Sequence, residues 1–372
     1  MDSKWSPRLD LWTLSDIVLD MDYVPLRNLD VSLDMLRLVA EIDEFKGRWA
    51  AIGNLVPERL SALKKVATIE SIASSTRIEG VTLSDQEVDA LLGGIQLYSF
   101  RTRDEQEVAG YAALMEILFD SWQHIPISED HIKQLHGILL KHSARDQSHR
   151  GHYKTVANHL EAFDPDGKSL GVVFQTATPF DTPARMETLV RWTASQLNSR
   201  SNHPLLVIAF FVVEFLAIHP FKDGNGRLSR ALTTLLLLKA GYEYVPYSSL
   251  ERVVEDNKDA YYRALRTAQT TMGTPDSRLH EWVIFFLTCL DIQKNSLAKK
   301  LERERVIGTL PELAERILAI AREHGRVTTR DAVALTGAPR PTVKAQLKLL
   351  VNAQKLVRLG VGRGTWYQPK PH

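Results

Sequence analysis

Between residues 31 and 150 apolar side chains return every three or four positions. VSLDMLRLVAEIDEFKGRW, ERLSALKKVATIESIASSTRIE, QEVDALLGG and DEQEVAGYAALMEILFDSW each read as an amphipathic helix. The punctuation agrees with the period. Ser84-x-x-Glu87 is a capping box opening the third helix, Gly93-Gly94 closes it, and Ser128-x-x-His131 starts another that runs to about Lys141. Residues 151–182 break the pattern: β-compatible runs flank an Asp164-Pro165-Asp166-Gly167 turn, which predicts a small hairpin. Helical spacing returns over 183–197, 205–217, 226–240 and 257–270, and a long helix follows from about 278 to 306. Residues 1–30, with Pro7 and Pro25, predict irregular chain.

The last stretch has its own order. PELAERILAIAREHG predicts one helix and TTRDAVALTG a second, closed by Gly337. After Ala338-Pro339 comes RPTVKAQLKLLVNAQK, and LVRLGVGRGTWYQ then reads as a hairpin. Helix, helix-turn-helix, hairpin is the order of a winged helix-turn-helix. The fold class is therefore mainly α: a helical core with one small hairpin, plus a C-terminal winged unit. With 372 residues, more than one domain is expected. The divisions fall at 1–110, a helical region; 111–290, the core; 291–310, a charged helical connector; and 311–372, the winged unit.

Charge sharpens that division. The net charge is +1, yet residues 311–372 hold eleven Lys and Arg against four Asp and Glu. The rest holds thirty-five against forty-one. From Arg340 onward there are seven basic residues and no acidic one, with Arg340, Lys344 and Lys348 at every fourth position and Arg363 at the hairpin tip. Such a row suits the phosphates of duplex DNA, while docking to protein remains the alternative use of a winged helix. A lone cysteine, Cys289, excludes an intrachain disulfide framework, and the longest apolar run, 205–218, is too short for a bilayer and interrupted by Glu214. A cytoplasmic protein without a membrane partner is expected; a homodimer is left open.

The chemistry concentrates in FLAIHPFKDGNGRLSR, residues 215–230. The helix expected after this loop carries Arg227 and Arg230 at its start, where the dipole is already positive. Pro220 ends the preceding helix at His219, and Asp223-Gly224-Asn225-Gly226 form a loop able to aim N–H groups into one concavity. Asp223 is out of place beside an anion unless a divalent cation intervenes. Taken singly, each feature is an ordinary turn, cap or surface charge. Together they point to polyphosphate with Mg²⁺, and the absence of a Lys after the glycines excludes the Walker-type loop.

HPFKDGNGRLSR resembles the Fic signature, His-Pro-Phe-x-(Asp/Glu)-Gly-Asn-Gly-Arg-x-x-Arg. The resemblance extends over roughly 30–290, with KTVANH near 154 and the Tyr261–Tyr262 pair; Ser229 departs from the glycine common there. It implies transfer of AMP from ATP to a Ser, Thr or Tyr hydroxyl of a target protein. It also implies His219 as general base, Asp223 as Mg²⁺ ligand, and Gly224, Asn225 and Gly226 around the α-phosphate. Arg227 and Arg230 would hold the phosphates, Tyr261 would lie near the adenine, and the hairpin would be the target-binding flap. Ser75-x-x-x-Glu79-Gly80 matches the family's inhibitory helix, here about 57–80, so Glu79 would pair with Arg230 in the γ-phosphate's place. Three alternatives stay open: a DNA-binding regulator whose body senses a nucleotide, removal of AMP by the same site, and a different transferred group. A phosphoryl variant is disfavoured by Gly226-Arg227, where that variant would have a Lys at the Gly226 position.

Overall fold

The structure is a computed structural model describing residues 26, 29–51, 57–94, 100, 102–163, 169–272, 274, 276–308, 311–360 and 362–370. Most of the irregular N-terminal stretch and the Asp164–Gly167 turn lie outside the described residues. The elements of the larger unit are α1 (Leu33–Ala51), α2 (Pro57–Ile78), α3 (Asp85–Gly94), α4 (Arg103–Ser121), α5 (Glu129–Leu139), β1 (Leu160–Phe163), β2 (Ser169–Phe174) and α6 (Thr182–Ser199). Then come α7 (Pro204–Ile218), α8 (Asn225–Lys239), α9 (Leu250–Asp256), α10 (Lys258–Thr271) and α11 (Leu279–Gly308). The chain divides into two compact units, 1–295 and 296–372, with the break inside α11.

Helix α7 is apolar on every side, and each residue from Leu205 to Ile218 except Leu206 is buried. A helix without a polar face must be wrapped by others. α6 and α8 pack on it, and the Trp282 indole of α11 donates to the Ala209 carbonyl at 2.7 Å. Glu214, the charge interrupting this helix, is buried and takes a hydrogen bond from Arg185 of α6 at 2.7 Å. Burial pushes its carboxyl up from the usual range, only partly countered by that Arg.

Local signals explain the element ends. Ser84 and Glu87 form the expected reciprocal cap on α3, and Thr102 with Glu105 forms a second on α4. Strands β1 and β2 pair antiparallel, giving the hairpin expected between the core helices. α2 buries its small residues, among them Ala67, Ala73, Ser74 and Ser75, which lets it lie close to α4 and α9.

In the smaller unit α12 (Glu312–Glu323), β3 (Val327–Thr328), α13 (Thr329–Thr336) and α14 (Arg340–Asn352) precede β4 (Leu356–Leu359) and β5 (Trp366–Pro369). The sheet order is β3-β5-β4, all antiparallel. Ile317, Leu318, Val343, Leu347 and Leu350 build its core. Thr328 and Asp331 cap α13 reciprocally, and Gly337 at φ 70° closes it. Arg340, Lys344 and Lys348 are all exposed on α14, whereas Val343, Leu347 and Leu350 of the same helix are buried in the core.

One close approach fixes how α4 meets α5. A Cβ at Gly110 would collide with the Leu139 carbonyl oxygen, a backbone atom that cannot swing aside. Gly110→Ala should therefore cost about 1–3 kcal/mol, seen as a lower urea midpoint, whereas the same change at Gly93, which has open space around it, should cost far less.

Candidate active site

His219 is the C-cap of α7 and lies in the left-handed region, at φ 52° and ψ 60°. For a residue with a Cβ this costs roughly 1–2 kcal/mol, so the surroundings must hold it. They do: Asn158 Nδ2 donates to the carbonyls of His219 (3.2 Å) and Phe221 (2.7 Å), and Asn225 brackets Phe221. Asn225 Oδ1 accepts the Phe221 N–H at 2.9 Å, while its Nδ2 donates to the Phe221 carbonyl at 2.7 Å. The Asn225 side chain is thus engaged inside the loop through both its oxygen and its amide nitrogen. Burial, followed by the charge of Lys154, pushes the His219 imidazole down to about 4. It is neutral near pH 7, and its buried Nδ1 has no partner. An uncharged ring nitrogen is what a proton acceptor requires.

A second histidine holds the loop from the other side. His136 of α5 stacks on Phe221 with ring centroids 3.8 Å apart. Its Nδ1 accepts the Gly151 N–H at 2.8 Å, which leaves Nε2 protonated to donate to the Asp223 carbonyl at 3.0 Å. Burial pushes this imidazole down to about 4 as well.

Helix α8 starts at Asn225 behind Gly224, whose φ of 79° makes the turn. Arg227 falls in its first turn, as expected, but Arg230 falls in the second. The two guanidinium groups also go to different partners. Arg227, 2% exposed, pairs with Glu107 of α4 at 2.9 Å and with Asp223 at 3.3 Å. Arg230 reaches α2: its Nε donates to Ser75 Oγ, and its Nη2 to the Ser75 carbonyl and to Glu79 Oε1, each at 2.8 Å. Burial works to lower the Arg230 pKa, but the Glu79 carboxylate together with Tyr261 and Tyr111 outweighs it and raises the pKa above the usual value. Glu79 stands one residue beyond the end of α2, in the turn closed by Gly80 at φ 105°, rather than within the last helical turn. Its carboxylate lies against Gly226, where a Cβ would strike Glu79 Oε1.

Asp223 accepts from its neighbour Gly224 N–H at 2.7 Å and pairs with Arg103 of α4 at 3.1 Å. Burial opposes its charge, yet Arg227 and the Gly224 N–H hold its carboxyl below the usual range. Among the described residues no cluster of three His, Cys, Asp or Glu forms a self-contained metal site. One ionised carboxylate beside a loop of N–H donors fits a magnesium ion that brings its other ligands with a nucleotide.

Tyr261 is buried, packed on Tyr262, Trp282 and Phe285. It is the inward member of the pair and lines a cavity of about 30 Å³ behind Arg230, with Ser229, Glu251 and Cys289. Tyr262, 41% exposed, is the outward member. Sequence reasoning missed Arg103, Glu107, His136 and Gln269, the last buried with its amide nitrogen unpartnered. Arg103 and Glu107 lie 120 and 116 positions from Asp223 on an ordinary amphipathic helix, so no local pattern marks them.

Residues 126–237 match the Fic/DOC family. Among curated proteins the chain is similar to protein adenylyltransferase Fic of Drosophila grimshawi, 29% identical over 243 residues, 65% of this chain and 46% of that protein. The protein of the same name from Drosophila melanogaster is 28% identical over 256 residues, 68% and 45%. The chain spans about half the length of these curated relatives. In structure it is similar to a Fic family protein from Desulfovibrio desulfuricans G20, with TM-score 0.62 and 24% identity over 92% of this chain and 98% of that one. Fic-1 of C. elegans gives TM-score 0.57 and 19% identity over 73% of each chain. At these identities the structures establish the helical fold.

The two neutral imidazoles set a pH dependence. A histidine whose folded pKa lies near 4 contributes stability that is complete above its unfolded pKa of about 6.5 and is lost as pH falls toward 4. Urea midpoints should therefore drop between pH 6.5 and 4.5, and the drop should shrink in His136→Gln, which cannot titrate.

Proposed function

We propose that this chain, which carries a Fic/DOC family domain over residues 126–237, is an autoinhibited protein adenylyltransferase. The observation that carries the reading is the contact of Glu79 with Arg230 at 2.8 Å, pressed against Gly226 at the start of α8. A phosphate bound by the same N-terminus and the same guanidinium would need the volume that this carboxylate fills.

In the active form ATP lies with its phosphates on the N–H groups of Gly224 to Gly226 and between Arg227 and Arg230. The oxygen of a target Ser, Thr or Tyr bonds to the α-phosphorus. His219 takes the hydroxyl proton, and the bond from the α-phosphorus to its bridging oxygen breaks, so pyrophosphate leaves. Asp223 would hold Mg²⁺, which neutralises phosphate charge when bound. Positioning and charge neutralisation supply most of what such a transfer requires. The flap β1–β2 offers a strand edge for the target's backbone.

Release requires Glu79 to leave Arg230. The pair is half protected, with side chains 8% and 32% exposed, so its strength falls short of a fully buried ion pair. Glu79→Gly should raise AMP transfer from labelled ATP by on the order of ten- to a hundredfold. Adding His219→Ala to that variant should abolish transfer. Mass spectrometry after incubation with Mg·ATP identifies the group, since AMP and phosphate differ in mass. A Glu79→Gly protein no more active than the parent would refute the autoinhibition.

The smaller unit we read as a winged helix-turn-helix that binds duplex DNA through α14, on the strength of the exposed row Arg340, Lys344 and Lys348. Affinity should fall steeply between 50 and 200 mM salt, and Lys344→Ala should reduce the slope of log K against log salt by about one. No affinity at low salt would leave protein docking as the use of this unit.

A further inference from the structure

We infer that Lys154 is a positioning residue for His219: its ammonium and the neighbouring Asn158 form a clamp that ties both roots of the flap to the loop carrying the base. The inference rests on the reading of His219 as general base.

The clamp is visible in four consecutive carbonyls. Lys154 Nζ donates to Ile218 O at 2.9 Å, and Asn158 Nδ2 donates to His219 O at 3.2 Å. The Lys154 backbone N–H donates to Pro220 O at 2.8 Å, and Asn158 Nδ2 also reaches Phe221 O at 2.7 Å. Two residues four apart thus satisfy every carbonyl from 218 to 221, across the left-handed turn at His219. Backbone held in such a region persists only where its surroundings over-determine it.

The ammonium has two further acceptors: Asn158 Oδ1 at 2.8 Å and Thr176 Oγ1 at 3.0 Å. With Ile218 O these fill its three donor positions. Asn158 stands two residues before β1, and Thr176 two residues after β2. The Thr176 hydroxyl also bonds Asn158 Oδ1 at 3.1 Å, closing the triangle. Ala177 N–H, next along, donates to Ala217 O at 3.3 Å. The flap roots and the end of α7 therefore converge on one buried nitrogen.

Among the described residues no carboxylate is paired with Lys154; the Ile218 carbonyl at the negative end of α7 and the Asn158 amide oxygen face the charge. Burial, then the charge of Arg185, pushes the ammonium down to about 8, the signature of a cation kept out of water. A lysine doing nothing but packing would lie more favourably with its head in solvent. A target that pulls on the flap edge would transmit its pull through this knot to the base.

The test uses the full chain with Glu79→Gly, with and without Lys154→Met. With the clamp removed, kcat for AMP transfer should fall about ten- to a hundredfold while KM for ATP stays within about twofold, because misplacing a base by about an ångström costs on that order. Amides of residues 215–219, 221 and 175–177 should exchange with deuterium faster as one group, and those of α4 and α11 should not change. A kcat within twofold of the parent, or unchanged exchange in both segments, would overturn the clamp. If Glu79→Gly itself transfers no AMP, the functional reading fails and the exchange result alone decides the clamp. If Lys154→Met lacks a cooperative melt, Thr176→Val, which removes one acceptor, should give the same paired pattern at smaller size; its absence counts against the inference.

Discussion

A guanidinium under the protein surface has to find acceptors for its N–H groups, because an unmatched charge there costs several kcal/mol. In Arg230 that demand falls on an N-terminal helix more than 150 positions away, through Ser75 Oγ, the Ser75 carbonyl and Glu79. The rest of the larger unit follows from this attachment. α2 must lie close enough for Ser75 to be reached, and the small buried residues Ala67, Ser71, Ala73, Ser74 and Ser75 on its inner face allow this beside Ile72 and Ile78. α8 must begin where its second turn points at α2, which Gly224 arranges with a left-handed residue at the cap.

The attachment is reinforced beyond the site. Arg77, two residues before Glu79, takes both oxygens of Glu255 on α9, at 2.6 and 2.9 Å, and also pairs with Asp85 of α3 at 2.9 Å. Arg252 of α9 contacts the same Asp85. These side chains are one-fifth to one-third exposed, so each pair alone contributes little. As a closed ring they fix where α2 ends, and with it the reach of Glu79. On the brake reading proposed above, the Glu79 carboxylate would leave Arg230 at the turn closed by Gly80, with the helix still seated.

Much of this was legible in the chain itself. The 3.6-residue period located the helices because most of them bury one face, and Ser84, Ser128 and Thr328 marked starts through hydrogen bonds to residues three positions on. The grouping of His219, Asp223 and the two Arg around one loop was legible because they lie within twelve positions. What escaped was assembled from distance. Arg103 meets Asp223, Glu107 meets Arg227, and His136 meets the loop from α5, each through contacts between residues that look like ordinary helix surface in sequence. The placement of Arg230 in the second turn escaped for another reason: helix starts depend on cap geometry, which sequence fixes only to within a residue or two. Of the tyrosine pair, neither spacing nor composition could say which ring turns inward.

Gly226 carries a wider lesson about how this domain can vary. The hydrogen in place of its side chain is all that separates α8 from the Glu79 oxygen. A methyl group there would evict the carboxylate, yet it would stand just as squarely before a phosphate. On the reading of Glu79 as a brake proposed above, mutation at this position cannot trade restraint for activity. On that same reading, variants that release the domain arise on the other side of the gap, and selection for altered regulation would be recorded around residues 75–80 rather than at Gly226.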